Sequence, residues 1–312
     1  MSTRPILELR AAVRSHVRGL FDARGFVEVD TPVLSTEVLP EAHIDPIAVA
    51  VDGAGRPPHY LQASPEALMK RLLAGGAGPI YQFARSFRAG ERGERHDVEF
   101  VLLEWYAPRT SLDDTAAFLA ELCQVAIGTQ GIERITCREA FVRHVGIDPF
   151  SASLAAWRAA GARARVALPA DHADSADDWF EVLLSEAVAP HLGRGRPTML
   201  EKWPVSQAAF ARVSDEEQFA RRFELFVEGV ELANGWEEET RRAILLERIE
   251  AANRTRAADG RDVLPLPHRL LNAHGEAMPP GVGAALGFDR LVMLAAGAAS
   301  IDAVRCFTSR NA

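Results

Sequence analysis

The stretch that decides the fold of this chain runs from Pro79 to Tyr106 and reads PIYQFARSFRAGERGERHDVEFVLLEWY. Its residue pattern predicts one strand from Ile80 to Arg88 and a returning strand from Glu99 to Tyr106. The loop between them, residues 89–98, holds two glycines and a dense set of charges, which is more than a simple chain reversal requires. The stretch therefore predicts a hairpin with a phosphate clamp at its tip, although an amphipathic hairpin with a solvated tip would show the same pattern.

Helices and a further strand are predicted before this hairpin. The spacing of apolar residues predicts a first helix over residues 5–24. Residues 26–34 then predict a strand, which Pro32 would confine to a sheet edge or an interface. Ser64 and Pro65 are start signals for a second helix, with Glu66 in its first turn, where the helix dipole favours a carboxylate.

A second hairpin and two helices are predicted after it. The strands 222–227 and 230–236 are joined by a turn at Glu228-Gly229, and a helix follows to about Ala258. The glycines at 281, 283 and 287 do not have the spacing of a dinucleotide fingerprint. They precede a helix that ends near Ala296, and they are typical of a backbone that approaches a phosphorylated ligand closely.

The composition is that of an ordinary globular chain. It has 312 residues, 48% of them hydrophobic, and a formal net charge of -8, so no overall positive field attracts nucleic acid. The first residues lack the apolar core of a signal peptide, and no run approaches the length of a membrane span. We therefore expect a cytoplasmic protein without membrane contact. The three cysteines have neither metal-ligand nor disulfide spacing.

Two carboxylates near the second hairpin are candidate metal ligands. Glu231 and Glu238 flank Asn234-Gly235, which we interpret as a turn, and could meet around a hard divalent cation. Acidic residues near a turn are more often simply solvated, so both interpretations stay open.

Three separated stretches together resemble a known family. The strand with Pro32, the segment from Arg88 to Phe100 and the segment 283–291 are similar, in this order, to the three motifs of class II aminoacyl-tRNA synthetase catalytic domains. Residues 64–72, 103–106 and 229–235 narrow the resemblance to the lysyl-tRNA synthetase branch. The resemblance covers nearly the whole chain. It implies one α+β catalytic domain over residues 1–312, with a mostly antiparallel sheet flanked by helices. An edge strand broken by Pro32 next to an amphipathic helix is a surface that needs covering, so we expect a homodimer formed through the first helix and the Pro32 strand.

The resemblance is greatest to truncated paralogues within the lysyl branch. The similarity to the catalytic domain begins near residue 5, which implies that the N-terminal OB-fold that reads the anticodon is absent. Such paralogues activate lysine or (R)-β-lysine with ATP and transfer it to a lysine of translation elongation factor P, so we expect no tRNA partner. Ala285, where ordinary lysyl synthetases have glycine, fits the paralogue.

The resemblance also implies roles for individual residues. Two arginines are expected to be catalytic: Arg88 and Arg290. The expected ATP-binding residues are Arg88, Gly90, Glu91, His96, Asp97, Phe100, Glu231, Leu232, Gly287 and Arg290. The expected amino-acid pocket consists of Ser64, Glu66, Glu104, Tyr106, Asn234, Glu238 and Ala285. The expected Mg²⁺ ligands are Glu231 and Glu238.

The chain departs from the family pattern at two places. Gly90 stands where a glutamate that contacts adenine is expected, and Glu91 could replace it. Asp97-Val98 stands where the family has Asn-Pro, which is expected to place an extra negative charge near ATP. Two alternatives therefore remain: a synthetase homologue with another acceptor, such as tRNA or a small amine, or a catalytically silent synthetase-like subunit.

Overall fold

A computed structural model describes residues 4–51, 53, 58–169, 173–214, 216 and 218–312. The chain divides into two compact units, the first of residues 1–111, 125–127 and 238–312, and the second of residues 112–124 and 128–237. Up to the end of the first hairpin the elements are α1 (Arg4–Ala23), β1 (Val27–Glu28), β2 (Leu34–Ser35), β3 (Ile47–Val49), β4 (His59–Leu61), α2 (Glu66–Ala74), β5 (Ile80–Phe87) and β6 (Glu99–Pro108).

The remaining elements follow in two groups. The middle of the chain forms α3 (Leu112–Ile127), β7 (Glu133–Thr136), α4 (Cys137–Val145), α5 (Leu154–Ala164), α6 (Ala176–Leu183), β8 (Thr198–Pro204), β9 (Phe219–Val227) and β10 (Val230–Glu237). The C-terminal part forms α7 (Arg242–Ala258), α8 (His268–Ala273), β11 (Gly281–Gly287) and α9 (Phe288–Ala295).

Each unit contains strands that are mostly antiparallel. In the first unit the order is β1-β5-β6-β11, and only β1 runs parallel to its neighbour. A small sheet, β2-β4-β3, accompanies it. In the second unit the order is β10-β9-β8-β7, and only β7 and β8 are parallel. The expected α+β class, a mostly antiparallel sheet flanked by helices, is confirmed.

The hairpin of residues 79–106 forms as its sequence predicts. β5 and β6 pair in continuous register from Ile80 opposite Tyr106 to Phe87 opposite Glu99. Side chains on one face pack against the helices: Phe21 of α1 stacks on Tyr81 with ring centroids 4.4 Å apart and meets Trp105 edge-on at 5.7 Å. This aromatic layer buries one face of the sheet and leaves the other face to build a site.

Two local predictions need correction. Residues 26–34 do not form one strand, because β1 ends at Glu28 and β2 begins at Leu34. Pro32, which has no amide hydrogen to donate to a ladder, lies in the gap between them. Residues 281–287, predicted only as a glycine-rich approach to a helix, form β11, which pairs with β6 along its whole length.

The second unit is organised around an aromatic core. Phe141 stacks on Phe180 at 4.7 Å and meets Trp157 edge-on at 5.7 Å. The helices that carry these rings begin at side-chain caps, Thr136 for α4 and Ser175 for α6. The alanine-rich segment after Ser153 contributes α5 and α6.

Candidate active site

One face of the first unit's sheet carries small and polar residues. Neighbouring positions on a strand point to opposite faces, and directly paired residues share a face. Glu104 of β6 lies opposite Gln82 of β5 and Ala285 of β11, and Tyr106 lies opposite Gly283. This face, which we call the polar face, comprises Ile80, Gln82, Ala84, Ser86, Phe100, Leu102, Glu104, Tyr106, Gly283, Ala285 and Gly287, and Arg88 continues it one residue beyond β5.

Buried carboxylates gather at one end of the polar face. Glu104 and Glu238 are buried, and so is Glu66 at the start of α2. Tyr106 Oη donates a hydrogen bond of 2.7 Å to Glu104 Oε1. Ser64 Oγ accepts the backbone N–H of Glu66 at 3.0 Å, and α2 begins at Glu66, one residue later than a start with Pro65 as first helical residue would give. The structure thus brings together Ser64, Glu66, Glu104, Tyr106 and Glu238.

Lys70, for which the sequence analysis predicts no role, completes this acidic cluster. Its ammonium lies 2.6 Å from Glu66 Oε1 and 2.7 Å from Glu238 Oε2, and the residue is only 2% exposed. Burial alone would lower the pKa of Lys70, but the charges of Glu238 and Glu66 raise it above its ordinary value. Glu66 and Lys70 are four residues apart on one helix, a spacing that predicts such a pair.

The protonation of Glu104 is the adjustable part of the cluster. Burial, and next the negative charge of Glu66, raise the pKa of Glu104 to about 8, against the hydrogen bond from Tyr106. Burial and the charge of Glu104 raise the pKa of the Tyr106 phenol well above its ordinary value, so it remains a donor. An ammonium group that enters this cluster would favour the ionised form of Glu104.

Two small residues of β11 make room for the cluster. A Cβ atom at Gly283 would lie 2.3 Å from Glu238 Oε1 and 2.5 Å from Tyr106 Cε1, distances that only glycine avoids. Ala285, directly opposite Glu104, places its methyl group on the same face. The sizes of residues 283 and 285 of β11 therefore determine how much space is left beside the carboxylates.

Arg88 and Phe100 meet at the other end of the polar face. The guanidinium carbon of Arg88 lies 5.0 Å from the centre of the Phe100 ring, within range of a cation–π contact. Glu91 Oε1 lies 3.7 Å from the Arg88 guanidinium. Glu41, a residue that the sequence did not indicate, belongs to the same neighbourhood: burial raises its pKa to about 7, and the charge of Arg88 is the largest opposing influence.

His96 and Arg290 also come together in the first unit. Arg290 Nη2 lies 2.6 Å from His96 Nε2. Gly287 lies at the N-terminal end of α9, and a Cβ atom there would be 3.3 Å from Cδ of Arg290, tighter than ordinary packing. Gly287 and Arg290 are both predicted ATP-binding residues. The absence of a side chain at residue 287 leaves room for the Arg290 side chain.

The structure gives a physical reason for each departure from the family pattern. Gly90 has φ +75°, a backbone conformation that glutamate rarely adopts. Asp97 is buried, and Arg305, Val98 and Ser309 donate to its carboxylate. Burial alone would raise the pKa of Asp97, but the hydrogen bonds from Ser309 and Val98 and the charge of Arg305 hold it below its ordinary value. The expected extra charge near ATP is therefore neutralised within the fold.

The remaining predicted residues lie in the second unit. Glu231, Leu232 and Asn234 belong to β10, and Asn234 Oδ1 accepts from Arg222 Nε at 3.3 Å. The interpretation of Asn234-Gly235 as a turn is wrong, because both residues continue the ladder with β9, and the turn lies at residues 228–229. The assignment of Glu231 and Glu238 to Mg²⁺ stays a prediction.

Glu238 has a partner of its own in the first unit. Its carboxylate is bound by Lys70, so the geometry supports its place in the acidic cluster directly. Within the part of the chain that the structure describes, no group of three or more His, Cys, Asp or Glu side chains is placed to hold a metal ion. No helix among the described residues is long and apolar enough to cross a membrane.

Comparison with known proteins identifies the family. A family model described as tRNA synthetases class II (D, K and N) matches residues 1–311 of the chain. The chain belongs to the class II tRNA synthetases. This class II synthetase chain is 40% identical over 308 residues to proteins named elongation factor P–(R)-β-lysine ligase from Salmonella typhi, Salmonella dublin and Salmonella paratyphi B. Each match covers 97% of this chain and 95% of the relative. The resemblance seen in the three sequence motifs is thereby confirmed.

The residues of this class II synthetase chain fit ATP and an amine. Phe100 has the flat ring that can stack on a base, and Arg88 beside it has the charge that can bind a phosphate. Gly287 leaves space for a second arginine, Arg290. The acidic cluster at the other end of the polar face fits ammonium groups. One surface therefore offers complementary charges for the two ends of an amino acid that carries a side-chain amine.

Proposed function

We propose that the chain is an ATP-dependent ligase that activates lysine or (R)-β-lysine as an aminoacyl-adenylate and transfers it to a lysine of elongation factor P. The observation that carries the proposal is the cluster of Glu66, Glu104 and Glu238 at one end of the polar face, whose other end carries Arg88. The names of the Salmonella relatives support the same substrate and acceptor.

The acidic cluster supports a diamine substrate. Three carboxylates balanced by Lys70 leave a net charge of about -2 when Glu104 is ionised, which matches the two ammonium groups of lysine or β-lysine. The same cluster disfavours aspartate, because the side chain of aspartate would bring a fourth carboxylate into a buried acidic site, where it would meet like charges. Among the amino acids named for this family, D, K and N, the charge balance selects lysine.

The arginines support the chemistry of adenylate formation. In this reaction the substrate carboxylate attacks the α-phosphorus of ATP and pyrophosphate leaves, so positioning and charge neutralisation are the main demands on the protein. Arg88 is proposed to bridge the carboxylate and the α-phosphate with its planar guanidinium, and Arg290 to hold the γ-phosphate. Phe100 is proposed to stack on adenine, with His96 at the phosphates. Mg²⁺ would neutralise the polyphosphate that accompanies it into the site.

A homodimer is proposed through α1 and the strands next to it. Leu7 on α1, Val27 on β1 and Val33 before β2 are apolar and exposed, at 40%, 57% and 39%. β1 is an edge strand, which is a surface that proteins usually cover. We expect light scattering at micromolar concentration to give the mass of a dimer.

The acceptor is proposed to be a protein lysine and not tRNA, in the cytoplasm where elongation factors act. The chain has a net charge of -8, which gives tRNA phosphates little attraction at physiological salt. The test is incubation with ATP, Mg²⁺, radiolabelled lysine or (R)-β-lysine, purified elongation factor P and bulk tRNA together. We expect label on elongation factor P. Label on tRNA with none on the protein would overturn the proposal.

A further inference from the structure

Two pairs of neighbouring residues in the first unit have the same arrangement. His96 and Asp97 end the loop between β5 and β6, and Asp289 and Arg290 lie in the first turn of α9. In each pair one side chain is accessible and the other residue is buried: His96 contacts Arg290 at 2.6 Å, whereas Asp97 and Asp289 lie beneath. The separation of the two accessible groups is therefore set by whatever holds the two buried carboxylates.

Arg305 lies between these two carboxylates, hydrogen-bonded to Asp97 and within ion-pair distance of Asp289. It is only 9% exposed, and its Nη1 lies 2.5 Å from Asp97 Oδ2, while its Nε lies 4.0 Å from Asp289 Oδ2. Asp289 is fixed from two other sides, by Arg10 at 2.7 Å and by the backbone N–H of Val101 at 3.0 Å. The guanidinium thus connects the hairpin loop to the start of α9 through buried contacts.

The segment around Arg305 binds the same loop at further points. Arg92 Nη2 lies 2.6 Å from Asp302 Oδ2, and the N–H of Ile301 donates to the carbonyl of Glu94 at 2.9 Å. Ser309 donates its backbone N–H to Asp97 at 3.0 Å. Residues 300–309 therefore hold the loop that carries His96 over its whole C-terminal half.

Asp97 is also the position where the chain departs from its family. The resemblance predicts asparagine there, which would carry no charge to pair with a buried arginine. An aspartate in the same place neutralises Arg305, and a buried charge that lost its partner would be strongly destabilised. Asp97, in place of the family's asparagine, and Arg305 thus form a buried ion pair in this chain.

We propose that Arg305 is a positioning residue for ATP, which acts through Asp97 and Asp289 to hold His96 and Arg290 at a fixed separation for the polyphosphate. The proposal rests on the proposed function, since it assigns His96 and Arg290 to ATP. It adds the C-terminal segment to the groups that the ATP site requires.

The test compares Arg305→Leu with Asp97→Asn in ATP–pyrophosphate exchange at varied ATP. We expect the KM for ATP to rise about tenfold to a hundredfold in each variant, because small displacements of positioning groups are costly, while the KM for the amino acid stays within about twofold. Arg310→Leu is the matched control, since this arginine directly follows the segment 300–309 but its side chain is 69% exposed. The control should keep the parental KM for ATP.

Two further measurements separate positioning from folding and from the proposed function. The double variant Asp97→Asn/Arg305→Leu leaves no unpaired buried charge, so it should unfold at a higher temperature than either single variant and still show the raised KM for ATP. Calorimetric titration with Mg²⁺ and ATP needs neither amino acid nor acceptor, and we expect the same fold loss of affinity there. A folded double variant that binds ATP with parental affinity would overturn the proposal, whatever the amino-acid substrate proves to be.

Discussion

The two faces of the first unit's sheet are made by the same three strands, yet they differ in every physical respect. One face stacks Tyr81 and Trp105 against Phe21 of α1, and Phe83 against Phe288 of α9 at 5.1 Å. The other face, the polar face, carries the carboxylate of Glu104, an arginine and small residues, and the carboxylates of Glu66 and Glu238 lie at one end of it. The comparison teaches that buried charges can be tolerated on one face because apolar packing on the other supplies the free energy that keeps the strands in place.

The largest effect on stability is expected from a substitution in the aromatic face. Phe21→Ala removes a fully buried ring and should lower the free energy of unfolding by about 3–5 kcal/mol. Activity per folded molecule should change little, because the ring does not touch the polar face. Chemical denaturation followed by fluorescence measures the loss. Val263→Ala, a change at a residue that is 61% exposed in the same unit, is the control and should cost less than about 0.5 kcal/mol.

Damage to the polar face should have the opposite signature. Arg88→Ala should slow adenylate formation by two to three decades, about 3–4 kcal/mol, because it removes charge from the developing transition state. Its thermal unfolding should stay near that of the parent. Arg85→Ala is the matched control, three residues earlier, within β5 and on the other face, with a side chain that is 61% exposed. Near-normal pyrophosphate exchange in Arg88→Ala would remove this residue from the reaction.

Removing one methyl group from the polar face should change the substrate preference. Ala285→Gly should shift the preference between lysine and (R)-β-lysine by roughly 1–3 kcal/mol, because residue 285 lies directly opposite Glu104. Ala284→Gly changes the neighbouring residue, whose side chain lies on the other face, and should lower stability without altering the preference. The ratio of kcat/KM for the two substrates is the measurement. An unchanged ratio in Ala285→Gly would show that residue 285 does not line the pocket.

The smallest expected effect concerns pH. The pKa of Glu104 is raised to about 8, so this carboxyl is largely protonated at neutral pH, and a cationic amine binds its ionised form. The KM for the amino acid should therefore fall as pH rises from 7 to 8.5, by up to about tenfold per unit below the pKa. Glu104→Gln should remove this dependence. A parental KM that is constant over this range would contradict the raised pKa.

Much of this arrangement follows from local sequence, and the exceptions have identifiable causes. The first hairpin alternates so regularly that its strands are predicted almost to the residue. β11 escapes prediction because Gly283, Ala285 and Gly287 have poor strand propensity, and only its pairing with β6 makes it a strand. Asn234-Gly235 looks like a turn from its residue types, but its ladder with β9 overrides that preference.

The site shows the same division between local and tertiary information. Glu66, Glu104 and Tyr106 are recognisable from motifs, and the structure brings them together. Lys70 could be suspected from its spacing to Glu66, but its second partner, Glu238, is far away in sequence. Arg305 gives no local signal at all, since its contacts with Asp97 and Asp289 exist only in the folded chain.

The central claim is that the carboxylates of the polar face select a diamine among the amino acids of this family. Pyrophosphate exchange into ATP, measured separately with lysine, (R)-β-lysine, aspartate and asparagine, tests it most directly. We predict exchange with lysine or (R)-β-lysine at rates at least about a hundredfold above those with aspartate, since like charges in a buried site cost several kcal/mol. Exchange with aspartate that equals or exceeds exchange with both diamines would contradict the account.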